Sequence, residues 1–114
     1  MTTTEFLSKI EELDLTRSSK VKLKKFWSDR APSIYNIGSA NFLDEDLVFH
    51  ASEYGDLKLD KVLDTIKENE YEGIIRVGSF RVHYIQPTLE GFNLVIRQNP
   101  KNVSNLGKWF FNIF

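Results

Sequence analysis

The stretch GIIRVGSFRVHYIQPTLEGFNLVIRQNP, residues 73–100, carries the strongest fold signal in the chain. Gly78-Ser79 in its middle is a glycine-first pair, which is typical of the two-residue loop of a type II′ β-hairpin. A hairpin at that point places Arg76 opposite Arg81 and gathers the apolar neighbours of the loop on one face. The stretch therefore predicts antiparallel strands with one apolar and one basic face.

A third strand is expected to follow the PTLEG connection. Pairing Gln86 with Phe92 continues the apolar face without a break and sets Tyr84 against Leu94. On this register, the aromatic residues of the ribbon lie on the apolar face, opposite the cationic side chains. Sheets that bind nucleic acids instead expose aromatic and basic residues together, so that bases can stack. The predicted register therefore argues against a stacking platform.

The basic face of the predicted ribbon carries Arg76, Arg81 and Arg97 in one row, with His83 beside them. Like charges directly opposite one another mildly destabilise a sheet. The row therefore suggests an anionic partner, because arginine suits bidentate recognition of phosphate or carboxylate oxygens. The simpler alternative is a row that faces solvent or pairs with the protein's own acidic residues.

The chain before residue 73 predicts helices. Thr2 and Glu5 have the spacing of a capping box and predict a first helix over about residues 3–13. A second helix is expected to run from Thr16 or Ser18 to about Asp29, since a proline follows two residues after Arg30. Residues 33–41 predict a short extended connection. Apolar spacing predicts a last helix that ends near Asn69.

Residues 44–54 allow two interpretations, a helix or a strand, and the helix is favoured because acidic residues fill its first turn. The resulting fold class is α+β in one domain, residues 1–114. It comprises an N-terminal helical hairpin, a further helix or helices, and a three-stranded antiparallel meander packed on the helices. Antiparallel sheets can leave one face in water, which is where the arginine row is expected.

The predicted second helix is basic, and its residues Arg17, Lys20, Lys24 and Lys25 could lie along a phosphate backbone. A solvated helix face, with lysine stems covering apolar neighbours, is the simpler alternative. Net charge is −1, but the charges are segregated. A basic segment over residues 15–43 and another over 73–114 flank an acidic middle, and such blocks create local potentials.

Several classes of site find no support in the sequence. The 114 residues include no cysteine, which excludes disulfides and thiolate metal sites and favours a cytoplasmic location. His50 and His83 are the only histidines, and they do not match a metal-binding spacing. We find no phosphate loop, dinucleotide motif or nucleophile elbow, so we expect neither a cofactor nor enzymatic activity. No run of apolar residues is long enough to span a membrane.

The end of the chain, NLGKWFFNIF, is rich in aromatic residues, including Trp109, Phe110 and Phe114. Such a segment is expected either to dock on the core or to act as an anchor for a partner or a second copy of the chain. Together with the segregated charges, it favours a small non-enzymatic adaptor, inhibitor or accessory factor that docks on a protein. The alternative is a nucleic-acid-binding accessory protein that uses the basic helix and the arginine row.

Overall fold

The computed structural model describes residues 1–69 and 72–98, which form two helices and seven strands. In chain order these are α1 (Thr3–Glu12), β1 (Lys20–Phe26), β2 (Ser33–Leu43), β3 (Asp46–Ala51), α2 (Leu59–Asn69), β4 (Ile75–Val77), β5 (Phe80–Arg81), β6 (Tyr84–Pro87) and β7 (Gly91–Arg97). The strands form one mixed sheet in the order β5-β4-β3-β2-β1-β7-β6. The sheet curls into a half-barrel, and strand is about twice as abundant as helix, at 45% against 22%.

The predicted architecture, a helical hairpin with a three-stranded meander, is wrong. The second predicted helix is strand β1, whose inward residues Val21, Leu23 and Lys25 are buried and alternate with half-buried lysines. The same sequence also has apolar residues at helical spacing, so local pattern alone is ambiguous. Pairing decides the outcome, because β1 runs parallel to β7 over its whole length and antiparallel to β2 on its other side.

Two further segments are strands, where the sequence predicted a short extended connection and a helix. Residues 33–41 belong to β2, an eleven-residue strand that pairs with β1 through its first half and with β3 through its second half. The helix favoured for residues 44–54 is also wrong, because β3 occupies most of that segment. Asp44 and Glu45 have φ values of 50° and 71° and form the two-residue loop between β2 and β3. Two left-handed residues in such a loop define a type I′ hairpin.

The two remaining helix predictions are confirmed. In α1 the hydroxyl of Thr2 accepts a hydrogen bond from the backbone of Glu5, whose carboxylate accepts one from the backbone of Thr2 in return. This is the capping box expected from the sequence. Helix α2 ends at Asn69 and buries the apolar stripe that begins at Leu59.

The hairpin at Gly78-Ser79 is confirmed as well. Gly78 has φ of 57°, Val77 pairs with Phe80, and Arg76 pairs with Arg81. A positive φ at the first loop position is the mark of a type II′ turn and explains the glycine there.

The chain that leaves this hairpin does not form a third strand beside β5. The backbone N–H of Val82 donates to Ile75 of β4 at 2.9 Å, and that of His83 donates to Val95 of β7 at 2.9 Å. Two consecutive residues thus bond to β4 and β7, the strands next to the two opposite edges of the sheet. This link is why the sheet is curled rather than flat.

The register between β6 and β7 differs from the predicted one by one residue. Tyr84 pairs with Val95 and Ile85 with Leu94, so Ile85 takes the inward position and Tyr84 the outward one. A shift of one residue moves every side chain to the other face of a sheet. The break at residues 82–83 causes this shift, because the inward-outward alternation starts again after it.

The core lies inside the curl of the sheet, where inward strand residues meet the apolar faces of both helices. The rings of Phe6 on α1 and Phe92 on β7 contact each other with their centroids 5.9 Å apart. Neither helix in the described ranges is both long and apolar enough to cross a membrane.

Candidate functional site

Three lysines of β1 lie on the outer, convex face of the sheet because they alternate with its buried residues. Lys20 and Lys22 each keep about a third of their side chain exposed, at 31%. Their amines lie 3.7 Å from carboxylate oxygens of Asp56 and Glu90, respectively. Pairs of this length at the surface contribute little to stability, so the lysines can exchange these partners for others.

Lys24, the third of these lysines, is part of a polar and aromatic network. Its amine donates to the side-chain oxygen of Gln86 on β6 at 3.2 Å and lies 5.1 Å from the ring centroid of Phe26. The guanidinium of Arg97 on β7 lies 5.5 Å from the same ring. Two cations therefore flank one aromatic side chain on the outer face.

The observed register adds a second aromatic residue to this surface. Lys24 pairs with Val95, which pairs in turn with Tyr84, so these three residues form a row across β1, β7 and β6. Tyr84 is 39% exposed. We call this surface the lysine face and define it by Lys20, Lys22, Lys24, Phe26, Tyr84, Gln86 and Arg97.

The predicted arginine residues do not lie on three consecutive strands of the sheet. Arg76 and Arg81 are neighbours on β4 and β5, whereas Arg97 lies on β7, which is separated from β4 by three strands in the sheet order but approaches β5 across the curl of the sheet. Arg76 donates to a carboxylate oxygen of Asp46 at 3.1 Å, which is the pairing with the protein's own acids that the simpler alternative describes. Arg81 and His83 are exposed.

The four residues assigned to a basic helix also separate. Arg17 lies before β1 and donates to Asp64 of α2 at 2.8 Å. Lys20 and Lys24 belong to the lysine face, while Lys25 points inward and is fully buried. The predicted aromatic tail, with Trp109, Phe110 and Phe114, lies outside the described residues.

The amine of Lys25 lies between two aromatic rings. It is 4.0 Å from the ring centroid of Trp27 and 4.5 Å from that of Phe80. Burial, together with the nearby positive charge of Arg30, lowers the pKa of Lys25 from 10.5 to about 8. Aromatic faces attract cations, which compensates part of the cost of burying this one.

A cleft of about 730 Å³ opens beside this lysine. We call it the aromatic cleft and define it by its lining residues Trp27, Arg30, Tyr35, Phe49, Val77 and Phe80. The guanidinium of Arg30 stacks on the ring of Trp27, 3.9 Å from its centroid. Among residues 1–69 and 72–98 there is no cluster of three or more His, Cys, Asp or Glu side chains that could hold a metal ion.

Neither the place of Phe26 on this face nor the outward position of Tyr84 was predicted from the sequence. The sequence does contain a signal for Phe26, since KVKLKKF alternates with period two and places Phe26 on the same side as three lysines. No local signal could predict that Tyr84 points outward, because its orientation depends on where the chain crosses between sheet edges. Comparison of the chain with family models, curated proteins and solved structures gave no match.

Proposed function

We propose that this protein is a non-enzymatic binding protein that holds a single-stranded nucleic acid on its lysine face. The sequence alone favours a protein partner, with nucleic acid as the alternative. The observation that changes the order is the register of β6 against β7. It brings Tyr84 onto the same face as Lys24 and so removes the argument that aromatic and basic residues lie on opposite sides of the sheet.

The charges of the lysine face suit a phosphate backbone. Alternate residues of a strand are roughly 6.6 Å apart, so Lys20, Lys22 and Lys24 provide three amines in a line along β1. Arg97 extends the positive surface at its end. The nearby carboxylates of Asp56 and Glu90 are exposed, and phosphates can replace them as partners of the lysines.

The aromatic side chains of the face suit bases rather than a generic polyanion. Bases of any sequence can stack on an exposed ring, and cationic side chains beside the ring add to the attraction. Tyr84 is exposed enough to accept a base, and Phe26 is already flanked by Lys24 and Arg97. An exposed ring among cationic side chains favours single strands, whose bases are free to stack.

The first test is the salt dependence of binding to a fluorescent sixteen-nucleotide oligothymidine, measured by anisotropy. Four cations that each contact one phosphate give a slope of about −2.8 in log K against log salt. This corresponds to roughly a fifty-fold loss of affinity between 50 and 200 mM salt. A flat salt profile, or the absence of binding at low salt, contradicts the proposal.

Variants locate the binding surface. The double change Lys22→Gln with Lys24→Gln is expected to reduce the slope by about 1.4, because two phosphate contacts are lost. The matched control is Lys61→Gln with Lys67→Gln, which removes the same charge from exposed positions of α2. Equal losses in the two double variants would mean that net charge, rather than this face, governs binding.

A further variant separates the contribution of base stacking from that of charge. Tyr84→Ala is expected to weaken binding by about 1–3 kcal/mol, the usual contribution of one stacked base. Its binding to heparin, which has charge and no bases, should stay unchanged. If Tyr84→Ala has no effect and heparin competes fully, the face binds anions in general, and an acidic protein surface becomes the better partner.

A further inference from the structure

We infer that the aromatic cleft is a second binding site, which takes a small ligand with a flat apolar body and one carboxylate group. The residues that define this site are distinct from those of the lysine face. Its volume falls within the range of roughly 300–1,000 Å³ that is usual for small-molecule sites.

The shape and lining of the cleft favour a flat body. Its lining includes the rings of Trp27, Tyr35, Phe49 and Phe80, together with Val77 and the polar side chains of His50 and Ser79. Aromatic rings pack on one another in stacked or edge-to-face arrangements that contribute free energy beyond the burial of area. Trp27 is fixed in place because its indole N–H donates to the hydroxyl of Ser33 at 3.0 Å.

The charges around the cleft favour an anion. The guanidinium of Arg30 stacks on the ring of Trp27, and the Lys25 amine lies against the faces of Trp27 and Phe80. These two cations repel each other, since the charge of Arg30 contributes to lowering the pKa of Lys25. A carboxylate bound at the exposed guanidinium of Arg30 forms charge-assisted hydrogen bonds with it and offsets the positive charge that Arg30 places near Lys25.

Arg30 is available for such a ligand. Its side chain is 60% exposed, and its ion pair with Asp29 is long, at 3.9 Å, between two exposed groups. A pair of this kind contributes little free energy, so a ligand carboxylate can replace it. The planar guanidinium also matches the two oxygens of a carboxylate, which a lysine at this position would not do.

The experiment compares three probes that share one aromatic ring system, by ¹H–¹⁵N chemical-shift titration of the whole protein. The probes are indole-3-acetate, its neutral amide and tryptamine, which carries a positive charge. We expect the carboxylate to bind about tenfold more tightly than the amide, because a hydrogen bond to a charged group is stronger by roughly 1.4 kcal/mol. Tryptamine should not bind, and the shifts should map to Trp27, Phe80 and their neighbours.

Two variants complete the test. Arg30→Gln is expected to lower the affinity for indole-3-acetate to that of the amide and to leave amide binding unchanged. The control, Arg81→Gln, removes an exposed arginine from the same hairpin that carries Phe80, and it should bind like the unmodified protein. Equal affinity for carboxylate and amide, an unchanged Arg30→Gln variant, or shifts that map elsewhere would overturn the inference. Because neither variant changes the lysine face, nucleic-acid binding should survive in both.

Discussion

The buried amine of Lys25 makes the stability of this protein depend on pH in an unusual direction. In the unfolded chain the pKa of this amine is near 10.5, and burial lowers it to about 8 in the folded protein. Below pH 8 both states carry the proton, so pH has no effect through this group. Between pH 8 and 10.5 the unfolded state holds more protons than the folded state, so the free energy of unfolding rises with pH.

The size of this effect follows from the difference of about 2.5 in pKa. One pKa unit corresponds to 1.36 kcal/mol, which gives an upper value of about 3 kcal/mol between pH 7 and pH 11. The rings of Trp27 and Phe80 favour the charged form, by about 0.5–2 kcal/mol in total, and therefore reduce the effect. We expect a gain in stability of about 1–3 kcal/mol.

The measurement is urea denaturation of the protein and of Lys25→Met at several pH values from 7 to 11. Other groups titrate in this range, so the informative quantity is the difference in unfolding free energy between the two proteins. As the pH rises, the unfolding free energy of the unmodified protein should increase by about 1–3 kcal/mol relative to that of Lys25→Met, because methionine has no proton to lose. Lys24→Met is the matched control, since it removes a half-exposed amine from the other face of the same strand. Parallel curves for the protein and Lys25→Met would refute the account of a buried, destabilised charge.

Three further predictions concern the fold and are each measured by urea denaturation. Thr2→Ala removes the hydroxyl of the capping box and should cost about 0.5–2 kcal/mol, whereas Thr2→Ser should be close to neutral. Gly91→Ala should cost at least about 1–3 kcal/mol, because a Cβ there would lie 2.2 Å from the carbonyl oxygen of Lys20, and a wild-type midpoint would contradict that close approach. Asp46→Asn weakens the acceptor that holds Arg76 and should cost about 1–2 kcal/mol, a loss that should disappear when Arg76 is already replaced by Gln.

Local sequence determined those elements whose signals depend on neighbours in the chain. The capping box at Thr2 fixes the start of α1, and glycine at position 78 fixes a turn whose first residue has positive φ. Helix α2 follows from its apolar stripe. In each case the residues that give the signal lie within a few positions of one another, so the element can be predicted from a short stretch of sequence.

The sequence of β1 shows where local reasoning fails. Leu23, Phe26 and Trp27 match a helix face, whereas Val21, Leu23 and Lys25 match the inward side of a strand. A lysine at an inward position weakened the strand pattern, because charged residues are seldom buried. Only the tertiary structure places the aromatic rings of Trp27 and Phe80 against the Lys25 amine, where they compensate part of the cost of its burial.

Tertiary structure also decided which side chains share a surface. The chain crosses from one sheet edge to the other at residues 82–83, and this crossing shifts Tyr84 outward beside Lys24 and separates Arg97 from Arg76. The alternation of a strand fixes which of its residues share a face, but it cannot fix which strands are neighbours. That choice depends on contacts between residues far apart in the chain, such as β1 with β7, and both candidate binding surfaces follow from it.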